Sequence, residues 1–257
     1  MVMRPPYLDV HSAPIEKVRE YEIEEARNMQ QAMVPTEPLR AHPVEFACKF
    51  RPVTEVGGDF LDYFWLPDRR LGFYLGDVVG KGLAAAMYAA LAIGTFRGIH
   101  KTGMPPTSVL ELLNERLRMR VLPGRYCAVQ YAVFDPPSWQ LWFANAGLPL
   151  PLHISSAGCC ELGEGGLPSG MFAGARYTQH TVRLASGDAV LFTTDGLLDA
   201  RNREGEEFGI ERLIAVCAEN KNKPAEILLG FIFAAVELFS AGAPQQDDMT
   251  AAVLKLA

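Results

Sequence analysis

The chain has 257 residues, of which 49% are hydrophobic and 21% charged, a composition typical of a globular protein with one large domain or two small ones. Its formal net charge of -6, with no Lys/Arg run longer than Arg69-Arg70, argues against a nucleic-acid-binding protein. The first residues lack the apolar core of a secretory signal, and the longest apolar stretches, 83–96 and 227–239, are too short to cross a bilayer, so we expect a soluble, cytoplasmic protein without a membrane span.

The first predicted element is a helix over residues 14–34, which is rich in Glu, Arg and Gln and ends at Pro35. Its apolar residues recur at a three/four spacing, so one face needs a packing partner. This spacing fits two interpretations equally well: a helix that packs on its own domain, and a linker that couples to an upstream partner or forms a homodimer. We divide the chain into a linker or switch segment, 1–36, and a main domain, 37–257.

The main domain is predicted to contain strands, two helices, more strands, two further helices and a last strand. The predicted strands are 44–51, 59–65, 71–75, 126–134, 141–145, 150–154, 178–184, 189–193 and 250–256, and the predicted helices are 83–99, 106–119, 210–219 and 224–239. This order lacks the regular strand–helix alternation of a doubly wound parallel sheet. It predicts an α+β fold with two antiparallel sheets and helix pairs outside them.

Four aspartates lie in four separate short motifs: Asp59 in Gly-Gly-Asp-Phe, Asp77 in Gly-Asp-Val, Asp195 in Thr-Asp-Gly and Asp247 in Asp-Asp-Met-Thr. The last three lie where an apolar strand meets a turn or a new element, so the strand holds each carboxylate at its end. Four converging carboxylates would repel one another strongly unless divalent cations lie between them. The pattern therefore indicates a binuclear site for hard metal ions, and with it phosphate chemistry.

Each motif taken alone also has a simpler interpretation. A strand-end Asp-Gly such as Asp195-Gly196 is more often only a turn. Residues 57–60 resemble the diguanylate cyclase signature, but the acidic residue that should precede the aromatic one is missing. Residues 76–82 differ from a P-loop in spacing, and Gly82 stands where that motif needs a Mg²⁺-binding Ser or Thr. A nucleotide-cyclase function would leave Asp195 and Asp247 unexplained.

The motifs occur in the order found in the type 2C (PPM) metal-dependent serine/threonine phosphatases, and the chain resembles their SpoIIE/RsbU-like bacterial branch. The resemblance covers nearly the whole chain from Met29 onward, through the segments 29–35, 56–60, 76–82, 145–147, 194–196, 206–209 and 247–250. It implies a four-layer α/β/β/α sandwich of two antiparallel sheets flanked by helix pairs. It also implies a metal-dependent protein phosphatase with two Mn²⁺ or Mg²⁺ ions at one end of the sandwich.

The resemblance also assigns roles to individual residues. Asp77 would bridge the two ions, and the Val78 carbonyl would bind one of them. Asp195 and Asp247 would hold the other ion. Asp59 would bind directly or through a water. Asp248, included with the metal residues, would lie beside the site as support. The implied reaction is hydrolysis of a phosphoserine or phosphothreonine by a water that the two ions activate.

The resemblance extends to partners, and the chain departs from the branch at a few positions. The usual substrates of this branch are phosphorylated STAS-domain proteins, and its members usually carry a sensory domain ahead of the linker helix. Leu148 stands where the branch usually has histidine, and Ala128, Val79 and Ala84 replace a common Thr, Ser and Pro. None of these changes removes an expected metal ligand, so we expect an enzyme. The alternative is a pseudophosphatase that binds a phosphoprotein without cleaving it.

Overall fold

The computed structural model describes residues 14–99 and 103–257. Their helices are α1 (Ile15–Met33), α2 (Gly82–Ile99), α3 (Pro106–Arg118), α4 (Asp195–Leu198), α5 (Gly209–Asn220) and α6 (Ala225–Ser240). Their strands are β1 (Leu39–Ala41), β2 (Val44–Arg51), β3 (Phe60–Trp65), β4 (Leu71–Val78), β5 (Cys127–Asp135), β6 (Gln140–Ala146), β7 (Leu152–Ser155), β8 (Gly158–Glu161), β9 (Gln179–Arg183), β10 (Ala189–Thr193) and β11 (Met249–Leu256).

The strands form two antiparallel sheets that pack face to face. Sheet A has the order β1-β2-β11-β10-β7-β8 and sheet B the order β3-β4-β5-β6-β9. The core between them is aromatic, with Phe46, Phe73 and Phe192 in tilted or edge-to-face contact. On the outer face of sheet B, α2 and α3 cover a second core, and on that of sheet A, α5 and α6 cover a third. The predicted four-layer α+β sandwich of two antiparallel sheets is confirmed.

The predicted elements agree with the structure where the hydrophobic pattern is long. β2 and β10 have the predicted bounds, and the other predicted strands and helices differ from the observed ones by a few residues at their ends. The prediction omitted β1 and β8, which are three and four residues long and form the edges of sheet A. Strands this short show too few alternations to be recognised by periodicity.

Helix α2 is long and apolar enough to cross a membrane, and it is the one helix with these properties in residues 14–99 and 103–257. Its inner side packs in the sheet B core, where Tyr88, Ile93 and Phe96 are buried. Phe96 stacks on Tyr74 of β4 with ring centroids 4.1 Å apart. These contacts are those of a core helix, which is the interpretation expected from the sequence.

Helix α1 lies beside α2 and contacts the loop that precedes β3. Gln30 is its one buried residue, and its side-chain amide forms two hydrogen bonds with the backbone of Gly57. The residues 1–13 of the predicted linker segment lie outside the described residues. The division at residue 36 and the switch or dimer role of α1 therefore stay predictions.

Candidate functional site

The strand order explains why the predicted aspartates meet at one end of the sandwich. In sheet B, β3 and β4 are antiparallel with Phe60 opposite Gly76, so Asp59 at the start of β3 adjoins Asp77 at the end of β4. In sheet A, β10 and β11 are antiparallel with Thr193 opposite Ala251, so the residues after β10 adjoin those before β11. Because β11 packs against β4 across the sandwich, the two aspartates of sheet B and the two of sheet A lie at the same end.

Asp248 holds the loop that carries Asp59. Its carboxylate accepts hydrogen bonds from the backbone N–H groups of Val53 at 2.7 Å, Gly58 at 2.6 Å and, more weakly, Asp59 at 3.4 Å. A Cβ at Gly57 would lie 2.4 Å from an oxygen of Asp248, so only glycine permits this close approach. These charge-assisted hydrogen bonds tie the Asp248 carboxylate to the loop. The supporting role of Asp248 at a metal site stays a prediction.

Asp59 is buried, with 1% of its surface exposed, and accepts a hydrogen bond of 2.8 Å from the Thr194 hydroxyl. Burial raises the pKa of Asp59, and the neighbouring Asp77 and Asp248 raise it further, whereas the hydrogen bond from Thr194 opposes the shift. The pKa of Asp77 is raised to about 7, first by burial and then by the charge of Asp195. Burial and the neighbouring carboxylates thus disfavour the ionised forms of both side chains.

Asp195 and Asp247 form the sheet A half of the cluster. Asp195 is the first residue of α4 rather than part of a plain turn, and Thr194 precedes the helix in an extended conformation. Burial raises the pKa of Asp195, and Asp247 raises it further. The carboxylate of Asp247 lies 3.0 Å from the ammonium nitrogen of Lys81, which also donates to the Gln246 carbonyl. Lys81 thus bridges the loop after β4 and the loop before β11.

The carboxylates fit a hard divalent cation in their chemistry, since oxygen ligands of high negative charge are what Mg²⁺ and Mn²⁺ require. In residues 14–99 and 103–257, however, no three His, Cys, Asp or Glu side chains stand at the spacing of a formed metal site. The side chains are close enough to raise one another's pKa values but not drawn onto a common centre, and Asp247 is paired with Lys81. The chemistry of the donor set fits the ions.

The sequence predictions missed four residues at the site. Lys81 and Gln30 are separated from their partners by 165 and 27 residues, so no local pattern reveals their contacts. Asp199 follows Asp195 by one helical turn; burial and Asp195 raise its pKa, and this spacing is the signal that could have indicated it. Arg125 donates a hydrogen bond of 2.7 Å to the Val79 carbonyl, beside the end of β4.

Leu148, the residue that departs from the expected histidine, is a core residue. It is 5% exposed and belongs to the cluster between the two sheets. The Asn145 side chain accepts a hydrogen bond of 3.0 Å from the Leu148 N–H and donates one of 2.9 Å to the Leu148 carbonyl. The departure therefore changes packing between the sheets.

The sandwich, with acidic strand ends gathered at one end, has the fold of PP2C phosphatase domains, and comparisons with solved structures agree. The solved SiaA-PP2C domain of Pseudomonas aeruginosa superimposes with a TM-score of 0.83 at 23% identity, over 97% of this chain and 100% of that one. The RsbX structure in complex with magnesium has a TM-score of 0.66 at 14% identity, over 86% and 99% of the two chains. Both likenesses concern the fold.

The sequence comparison gives the family. The family model described as Stage II sporulation protein E (SpoIIE) matches residues 67–257, and the chain belongs to this family. The family is the SpoIIE/RsbU-like branch of the PPM phosphatases. The phosphoserine phosphatase RsbU of Bacillus subtilis is 26% identical over 198 residues, which are 75% of this chain and 58% of that protein. The phosphoserine phosphatase RsbP of the same organism is 25% identical over 183 residues, which are 69% of this chain and 45% of that protein. The chain thus spans about half the length of these two relatives.

Proposed function

We propose that this chain is a divalent-metal-dependent phosphatase that removes the phosphate of a phosphoserine or phosphothreonine in a regulatory protein, in the cytoplasm. The observation that carries the proposal is the convergence of Asp59, Asp77, Asp195 and Asp247 at one end of the sandwich. Burial first, and neighbouring carboxylates second, raise the pKa values of Asp59, Asp77 and Asp195 there. The relative RsbU, named as a phosphoserine phosphatase, and the magnesium in the RsbX structure support it.

In the proposed mechanism the carboxylates hold two Mn²⁺ or Mg²⁺ ions. When bound, the ions would activate a water as nucleophile and neutralise charge on the phosphoryl group. Asp77 would contribute to holding both ions, the Val78 carbonyl would help to hold one of them, and Asp195 and Asp247 would hold the other. Asp59 would bind one ion directly or through a water. No cysteine nucleophile or histidine base is required.

The supporting residues hold this arrangement in place. Asp248 fixes the loop of residues 53–59 through its three N–H contacts, and Thr194 orients Asp59. The Lys81 ammonium group lies 3.0 Å from one oxygen of Asp247, so it would compete with a bound cation for that carboxylate.

For partners, we propose a phosphorylated STAS-domain protein as the substrate. This rests on the resemblance and on similarity to RsbU and RsbP, both named as phosphoserine phosphatases. We further propose that α1 couples the site to an upstream sensory domain or partner, or to a second copy of the chain. The pair of hydrogen bonds between Gln30 and Gly57 supports this coupling, since Gly57 adjoins the loop that carries Asp59.

The test is hydrolysis of p-nitrophenyl phosphate with Mn²⁺ by the wild type, Asp77→Asn and Asp195→Asn. The control is Glu219→Gln, an exposed carboxylate at the far end of α5. We expect turnover in the wild type and control, and a loss of at least about a hundredfold in both site variants while they remain folded. Equal activity in Asp77→Asn and wild type would exclude the proposed site.

A pseudophosphatase is the second candidate, and the ion pair between Lys81 and Asp247 favours it, because this pair occupies one of the expected ligands. Isothermal titration with Mn²⁺ separates the two. Two bound ions together with turnover identify the enzyme, and phosphoprotein binding without metal binding or turnover identifies the pseudoenzyme.

A further inference from the structure

Two loops flank the carboxylate site on the side of sheet B. The strand β5 starts beside the end of β4, where Cys127 pairs with Val78, so the preceding loop, 119–126, lies next to the metal-site loop. Arg125 in this loop donates to the Val79 carbonyl, and the Val79 N–H donates to the Tyr126 carbonyl at 3.1 Å. Contact between loop 119–126 and the site is therefore direct.

The second loop, around residues 167–172, is fixed beside the first. Ser169 and Cys127 form two backbone hydrogen bonds of 2.8 and 3.0 Å. The Asn114 side chain binds the backbone of both Gly170 and Phe172, and Arg118 donates to the Met171 carbonyl at 2.8 Å. Helix α3 thus holds this loop in a defined position next to loop 119–126.

Together the loops present an apolar and basic surface. We define the arginine rim as Met119, Arg120, Leu122, Arg125, Met171 and Phe172. Its four apolar side chains are 41% to 81% exposed, although large apolar side chains are costly to leave in water. Residues 116–126 contain four arginines and no acidic residue, in a chain whose net charge is -6. Two of these arginines, Arg120 and Arg125, belong to the rim, which has no acidic residue, so its formal charge is opposite in sign to that of the whole chain.

We propose that the arginine rim is the docking surface for the phosphoprotein substrate, and that it selects phosphorylated residues flanked by acidic and apolar side chains. The proposal rests on the proposed phosphatase function and adds its specificity. Arg125 of the rim contacts the Val79 carbonyl in the loop that follows Asp77, so a chain whose phosphate reaches the carboxylates can also contact the rim. Arginine pairs well with carboxylates, and exposed Met and Phe provide the apolar contact that gives such an interface its affinity.

The test compares two synthetic phosphoserine peptides, one with Glu, Asp and Leu around the phosphoserine and one with Lys and Ser in the same positions. The variant is Arg120→Glu combined with Leu122→Ser. The control is Arg183→Glu combined with Ile227→Ser, which makes the same chemical changes at exposed positions away from the rim, on β9 and α6. We measure kcat/KM for both peptides and for p-nitrophenyl phosphate, and peptide binding by fluorescence anisotropy.

We expect the wild type and control to prefer the acidic peptide by about tenfold or more, and this preference to shrink as salt rises. The rim variant should lose the preference through a higher KM, with p-nitrophenyl phosphate hydrolysis within about twofold of wild type, because that substrate is too small to reach the rim. Failure of the wild type to distinguish the peptides in both turnover and binding would overturn the proposal, and so would an equal loss on all three substrates.

Two further results decide the docking proposal independently of the proposed phosphatase function. If no substrate is hydrolysed but the acidic peptide still binds more tightly to wild type than to the rim variant, the docking surface stands and the phosphatase function fails. If light scattering shows that the rim variant changes a dimer into a monomer, the surface is an interface between two copies, and the docking proposal is overturned.

Discussion

Because the carboxylates of the site are buried and close together, we expect the metal-free protein to lose stability as pH rises. The substitution Asp77→Asn should remove much of this loss of stability. The pKa of Asp77 is about 7 in the folded chain against 3.8 for the unperturbed group, a difference of about 3 units. One unit corresponds to about 1.4 kcal/mol, so ionised Asp77 costs the folded state roughly 4 kcal/mol. Between about pH 4 and 7 the folded protein binds more protons than the unfolded chain, so the free energy of unfolding falls as pH rises.

The assay is urea unfolding in EDTA from pH 5 to pH 8.5, on wild type, Asp77→Asn and the control Glu219→Gln. We expect the free energy of unfolding of wild type and control to fall across this range, with most of the loss complete above pH 7. Asp77→Asn should be more stable than wild type at pH 8, by up to about 4 kcal/mol. Saturating Mn²⁺ should reverse the order, because each ion at a hundredfold its Kd stabilises the wild type by about 2.7 kcal/mol, and the proposed two ions together exceed the roughly 4 kcal/mol that Asp77 costs.

Two results would refute this reasoning. One is a wild type in EDTA whose stability does not change between pH 5 and 8, which would mean that the carboxylates do not confine charge. The other is an Asp77→Asn variant that is less stable than wild type at pH 8 without metal. This result would mean that ionised Asp77 makes a stabilising contact.

Three further predictions concern the supporting residues. Gln30→Ala should cost about 2–4 kcal/mol of unfolding free energy and increase hydrogen exchange in α1, because it leaves the backbone groups of Gly57 unpaired, whereas the exposed neighbour Gln31→Ala should change neither. Gly57→Ala should destabilise by about 1–3 kcal/mol and weaken Mn²⁺ binding in calorimetry, while Gly165→Ala, with open space around its Cβ, should not. Lys81→Met should tighten Mn²⁺ binding several-fold, since it removes a competing cation; unchanged affinity would show that the ion pair does not control access.

The sequence was sufficient to predict the layers of the fold and the positions of the aspartates, because both depend on local patterns. The alternation in 44–51 and 189–193 is long enough to define a strand, and a carboxylate directly beyond a strand is held by it. The helix α4 was not predicted, since four residues following an Asp-Gly dipeptide fit a turn equally well. No pattern in residues 76–82 indicates the ion pair of Lys81, because its partner Asp247 lies in a loop close to the end of the sequence.

The convergence itself follows from antiparallel pairing. An antiparallel pair brings the end of one strand beside the start of the other, so β3 with β4 and β10 with β11 each place two of the predicted aspartates together. The local motifs do not determine whether these two pairs of aspartates lie at the same end of the sandwich. The packing of β11 against β4 settles this, and it depends on apolar side chains between the sheets rather than on any acidic motif. The core therefore determines that the aspartates share one site, and the motifs determine its chemistry.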